Sequence, residues 1–451
     1  MDRRSFLAGA VGAALATPAA AAADPTGPVL RGTLDTAALG LNDQKAEDQS
    51  RVLQRLLDAA SSEDRPVFLQ AGTYMISNLR LPARVRLSGV PGATRLVFAG
   101  GDSMLTAAHS QVMVLSGLTI DGAGLPFADY VGGLVHLAEC PDVTIDSCTV
   151  TGSAGNGIAL DRSGGRITRT TVTRATRAGI RAIESTDLSI TDNTVTDCGN
   201  GGILVWRWTQ GEDGTIVTGN RVERIAAKAG GTGENGNGIN IFRAGGVIVA
   251  NNRVVDTAFS AIRANSADNV QITANNCRRS GETAIYSEFG FAGAVIANNV
   301  IAGAANGISV TNFDSGGHIG VVSGNVLRDI TGKGPYPSGG PTFGVGIGVE
   351  ADAAVSGNVI DGAGLYGMQL GWGPYLRDVA ATGNVIRRAP LGVAVSVVDG
   401  AGSAVISDNL ISGAERGAVV GMHWDKTATG DLAAVGAKDF PRLLVERNRI
   451  S

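Results

Sequence analysis

The 451-residue sequence predicts an all-β solenoid, a single-stranded parallel β-helix of about 12 coils closed by an N-terminal helix. Three observations lead there. An Asn-centred motif returns along the chain. Short apolar stretches alternate with period two between the copies. Glycine is abundant, 65 of 451 residues, without interrupting those stretches.

The motif is clear in SITDNTVTDCGNGGILVW (189–206). Its Asn recurs at Asn193, Asn220, Asn252, Asn275, Asn299, Asn325, Asn358, Asn384, Asn409 and Asn448, with Cys148 and Thr170 in the same slot of earlier, degenerate copies. Most intervals are 22 to 27 residues, a period that belongs to stacked coils. Each unit holds three short β-like pieces. One ends before the Asn (Leu188, Ile190), one follows it (Val195), and one carries a Gly-Ile-x-Val pattern (Ile203, Val205). Helix is disfavoured because Gly, Asn, Thr and Val fill every window. The Asn is expected at a turn, in a left-handed backbone, with its amide bonded to the coils above and below.

Composition narrows the rest. Aromatic content is 5%, so Ala, Val, Ile and Leu must fill the core. The net charge of -4 is too mild for a nucleic-acid partner, and no basic, aromatic-studded stripe occurs. Cys140, Cys148, Cys198 and Cys277 lack metal-ligand spacing. Four cysteines allow three disulfide connectivities, and Cys277 falls on an apolar core position. No metal and no cofactor are expected.

At the start, MDRRSFLAGAVGAALATPAAAAADP resembles a twin-arginine export signal ending in an Ala-x-Ala site, so residues 1–23 are set aside from the fold. The expected location is periplasmic or secreted, with the twin-arginine translocase as a transient partner. The run is too short and Ala-rich for a membrane span. Residues 24–66 make an N-terminal segment with a capping helix over 42–60, its stripe Val52, Leu53, Leu56, Leu57 and Ala60, its N-cap Asn42 or Asp43. Residues 67–451 form the coils, and an insert at 425–441 covers the last of them.

Taken together, the double arginine, the segment RPVFLQAGTYMISNLRLPARVRLSGV and the Asn coils resemble a family of twin-arginine-translocated repeat proteins. That family lies within the right-handed parallel β-helix group of the pectate-lyase-like superfamily. The family carries no assigned reaction. The resemblance implies that ligand lies along a floor made of the Gly-Ile-x-Val strands.

Along that floor, the outward residue between each inward pair reads His136, Ala159, Arg181, Leu204, Asn240, Arg263, Tyr286, Ser309, Gly348, Gln369, Ala394 and Val419. Polar and aromatic residues gather between Trp206 and Glu350. Insertions at 226–238 and 331–346 bracket this middle as walls. Trp206, Phe242, Phe289 and Trp372 suit stacking on sugars. Arg207 and Arg243 suit the carboxylates of an acidic polysaccharide. Asn240, Asn265, Asn312 and Asp314 add polar contacts.

The leading expectation is a uronate lyase or epimerase, with Arg263 as base, Tyr286 as proton donor, and Asn240 or Asn265 on the substrate carboxylate. An Arg or Tyr base requires a lowered pKa. One alternative is an inverting glycoside hydrolase using Glu288 and Glu350, two coils and ~9–10 Å apart. The other is a non-catalytic envelope or glycan-binding scaffold.

Overall fold

The computed structural model describes residue 41 and residues 47–231, 233–336 and 343–451. The proposed export signal lies outside the described residues. Fifteen parallel strands stack in one sheet, which makes about 14 turns, slightly more than expected. The extra turns come first in the chain, where the Asn marker is lost: Thr119 pairs with Thr149, placing Leu118 in the slot of Cys148. The other two strands of each turn interleave in a 28-stranded sheet.

The core is a set of axial stacks. Ile190, Val217, Val249, Ile272 and Ile296 follow one another in register, all fully buried. Each such side chain contributes roughly 1.5–3 kcal/mol on leaving water. Cys277 pairs with Val254 and Ile301 and is fully buried, as expected. All four cysteines are free, buried thiols. The glycine of Gly-Ile-x-Val is a close-approach residue: a Cβ on Gly202 would lie 2.2 Å from the Gly238 carbonyl oxygen of the next coil.

The asparagines form a continuous ladder. Asn275 Oδ1 accepts from the Asn252 backbone N–H at 2.9 Å and from Asn252 Nδ2 at 3.0 Å, while Asn275 Nδ2 donates to Val249 O and to Asn299 Oδ1. The same links run from Asn193 to Asn448. One expectation is corrected. The left-handed residue is not the ladder Asn but the one before it: Asp192, Gly219, Asn251, Ala274 and Asn298 all have positive φ. The turn is made there, which frees the Asn side chain to point inward.

Helix α1 (Ser50–Ser62) buries Leu53, Leu56, Leu57 and Ala60 against the first strands. It begins later than expected. Its N-cap is Gln49, and Asp48 Oδ1 accepts from Ser50 N at 2.8 Å. Asn42 and Asp43 lie outside the described residues. Downstream, Val419–His423 and Lys426–Asp431 form an antiparallel hairpin, followed by α2 (Leu432–Val435), whose Leu432 enters the core. The 425–441 insert therefore does cover the last coils. No helix among the described residues is long and apolar enough to cross a membrane.

Candidate functional site

The floor stacks in the expected register from His136 through Arg181, Asn240, Arg263 and Tyr286 to Gln369 and Ala394. Its last member is corrected. Val420 pairs with Ala394, whereas Val419 pairs with the inward Val393. Ala418, not Gly417, takes the slot of Gly392, so a count from the glycine lands one residue off, and a one-residue shift exchanges faces.

At mid-floor, Arg263 is a locked ion pair. Its Nε and Nη2 donate to Glu288 Oε1 and Oε2 at 2.6 and 2.9 Å, and its Nη1 donates to Glu282 Oε2 at 3.2 Å. Asn265 Nδ2 donates to Glu288 Oε1 at 2.8 Å, and the guanidinium lies 5.0 Å from the Tyr286 ring centroid. Arg263 is 6% exposed and Glu288 2%. Burial alone would lower the Arg263 pKa, but the Glu288 and Glu282 charges hold it above the ordinary value. Burial pushes the Tyr286 phenol up to about 12, with the Glu288 charge adding. The base role expected of Arg263 is thereby corrected, because its shift runs opposite to what a base requires. Asn265 is likewise engaged with Glu288 and does not line the neighbouring cavity.

That cavity, about 460 Å³, opens on the next coils. Tyr286, Asn312, Asp314, Glu350 and Trp372 of the expected site line it, together with Glu282, Tyr336 and Tyr375. Glu350 is 9% exposed and its Oε2 accepts from the Phe313 backbone N–H at 2.7 Å. Burial pushes its carboxyl up to about 7 despite the Phe313 and Asn312 backbone donors, and the Asp314 charge adds to the rise. Three carboxyls line the cavity and no Lys, Arg or His does so among the described residues. The Glu288–Glu350 pair is corrected: the two stand two rungs apart as expected, but Glu288 turns to Arg263 while Glu350 alone faces the cavity.

The remaining expected contacts spend themselves on the protein. Trp206 Nε1 donates to Asn240 Oδ1 at 2.9 Å, and the Trp206 and Phe242 rings meet edge to face at 6.2 Å. Arg207 pairs with Glu184 at 3.1 Å. Arg243 donates to Trp208 O at 2.5 Å and covers the Phe242 ring. Phe289 stays exposed and does not line the cavity, but its N–H donates at 3.2 Å to Oδ1 of Asn312, which does.

Glu282 and Tyr336 were missed in the sequence, and the Tyr336 hydroxyl donates to Glu282 Oε1. A signal for Glu282 existed. Its slot, before the residue paired as Thr283 with Asn306, holds Phe259 one coil earlier and Ala305 one coil later, so a carboxylate there breaks the pattern. Tyr336 comes from the 331–346 insertion, which has no repeat to be compared with. Among the described residues no group of three or more His, Cys, Asp or Glu is arranged to hold a metal ion.

Residues 100–222 match the family model of the right handed beta helix region. The solenoid is a right-handed parallel β-helix. Solved structures agree at low identity. The N-terminal fragment of gene product 12 of bacteriophage phi29 shares 14% identity over 91% of this chain and 73% of its own, with a TM-score of 0.51. The catalytic unit of a GH87 alpha-1,3-glucanase from Streptomyces thermodiastaticus shares 12% over 94% of this chain and 69% of its own, at 0.50. The A-module of the Azotobacter vinelandii mannuronan C-5 epimerase AlgE4 shares 16% over 91% and 99%, at 0.46. At such identities the first two likenesses bear on the fold alone. No curated protein matches the sequence.

Proposed function

We propose that this chain is a carbohydrate-acting β-helix protein that binds a neutral glycan in the cavity and hydrolyses it with Glu350 as proton donor. One observation carries the reading: a carboxyl, pushed up to about 7 by its burial, inside a cavity walled by Tyr286, Tyr336, Trp372 and Tyr375. A carboxyl with that pKa is still substantially protonated at neutral pH and can protonate a leaving glycosidic oxygen. In this reading Asp314, exposed on the same wall, activates the attacking water, the second role that inversion requires.

A uronate substrate fits less well. Glu282, Asp314 and Glu350 would repel its carboxylates, and the nearest arginine is already neutralised by two glutamates. Acidic-polysaccharide elimination is therefore not carried into the proposal. Export belongs to it, on the strength of the first 23 residues. A reporter fused to residues 1–23 should reach the periplasm only when the twin-arginine translocase is active.

The test is a panel of neutral and uronate-containing glycans, with binding, reducing ends and unsaturated-uronate absorbance read separately. New reducing ends from a neutral glycan, lost in Glu350→Gln and Asp314→Asn, are expected. Binding without turnover would leave a glycan-binding scaffold. Neither binding nor turnover would end the carbohydrate reading.

A further inference from the structure

Phe289 and Trp424 are the two Phe, Tyr or Trp residues with positive φ among the described residues, at 60° and 58°. Most other positive-φ positions hold Gly, Asp, Asn or Arg at coil turns. A left-handed backbone is strained for a bulky side chain, and such strain persists where the surroundings impose it. Both rings are also uncovered, 41% and 39% exposed.

Trp424 occupies the tip of the hairpin, where His423 pairs with Lys426. Its ring meets Trp372 edge to face, with centroids 5.5 Å apart at 77°. Trp372 is itself held in a tight turn by an antiparallel bridge to Tyr375. These are the only two antiparallel pairings among the described residues. Both departures from the parallel pattern thus deliver a tryptophan to the same place, and Trp372 and Tyr375 line the cavity. Gly373 makes the room, since a Cβ there would lie 2.3 Å from the Trp424 ring. The Gly373 carbonyl accepts from Ser396 Oγ at 2.5 Å, which fixes that turn.

The spacing gives the ligand's length. Phe289 follows the floor strand Asn276–Glu288, and Trp424 follows Val419–His423. Between them stand the strands Val300–Val310, Val345–Val349, Tyr366–Leu370 and Leu391–Ser396. Five inter-strand steps amount to about 24 Å. Along the stack, the coils that line the cavity run from Tyr286, on the strand that Phe289 follows, to Gln369, two steps before the strand that Trp424 follows.

We propose that Trp424 is a sugar-stacking platform at the outer end of a groove that runs from Phe289 through the cavity. The ligand is an oligosaccharide chain of about five uncharged units, ~5 Å each over that span, whose apolar ring faces lie on the exposed indole. The inference rests on the glycan reading of the cavity and extends it to chain length.

Calorimetric titration tests it, using β-1,4-, β-1,3- and α-1,3-linked gluco-oligosaccharides of two to six units. The proteins are wild type, Trp424→Gly and Trp424→Phe. Glycine suits a φ of 58°, so the first variant keeps the hairpin; phenylalanine keeps a stacking face. Wild-type affinity should rise up to about five units. Trp424→Gly should match wild type on two and three units and bind five and six units roughly tenfold more weakly, with Trp424→Phe restoring most of the difference. Equal weakening at every length, no weakening at any length, or a wild-type affinity that is flat beyond three units would overturn the platform while leaving the glycan reading standing. Failure of wild type to bind any of the three series would overturn both.

Discussion

Both carboxylate oxygens of Glu288 are held by Arg263, at 2.6 and 2.9 Å, in a pair almost closed to water. Removing one member strands the other's charge in a low-dielectric site. Glu288→Ala is therefore expected to lower unfolding stability by about 3–5 kcal/mol, read from urea denaturation midpoints. Because Glu288 does not line the cavity, glycan affinity measured on the folded fraction should change little.

Glu350 links stability to pH. Its carboxyl rises from 4.5 to about 7 on folding, so between those values the folded chain binds more protons than the unfolded one. Stability should then fall as pH climbs from about 4.5 to 7 and level off above, a change of order 3 kcal/mol for this group. Glu350→Gln should flatten that part of the curve in thermal melts taken across pH 4.5–8. If Glu350 is the proton donor, turnover should also decline above pH 7.

The ladder can be broken at one rung. Asn275→Ala removes the acceptor for the Asn252 backbone N–H and leaves a buried donor unmet. The expected loss is about 1–3 kcal/mol, with secondary structure by circular dichroism retained below the melt.

The thiols give a simple check of the fold. Cys140, Cys148, Cys198 and Cys277 are buried and unpaired, and burial pushes Cys148 up to about 11 and Cys198 and Cys277 to about 12. An aromatic disulfide reagent should react with none of them rapidly in native protein and with all four in denaturant, without prior reduction.

The repeat made the fold readable because every coil votes on the same slots. The pattern alone puts Ile203 and Val205 inward and Leu204 outward, and in the structure the first two join the core while Leu204 stacks on Asn240. The turn was misread by one residue, since Asn in a left-handed conformation and Asn after one look alike in sequence. The site was less legible for a different reason. Periodicity says which way a side chain leaves the sheet but not what it meets once outside. Arg263 faces outward as expected, yet its partner Glu282 sits where the strand register shifts between Ser280 and Thr283, and the Tyr336 that holds Glu282 comes from an insertion. Glu350 is legible by its slot, but what pushes its carboxyl up to about 7 is burial, against the backbone donors of Phe313 and Asn312, and no single coil encodes that.

The hairpin described above also bears on how copies of this chain meet. A stack of parallel strands ends in a row of open N–H and C=O groups, and another stack can continue from it indefinitely. Over the floor that row is taken up by Lys426–Asp431 running the opposite way, so a second molecule's coils meet an antiparallel edge in place of the parallel one. At that end the floor sheet therefore presents an exposed, reversed strand in place of its own parallel repeat, with Trp424 at the tip of the hairpin that makes the reversal.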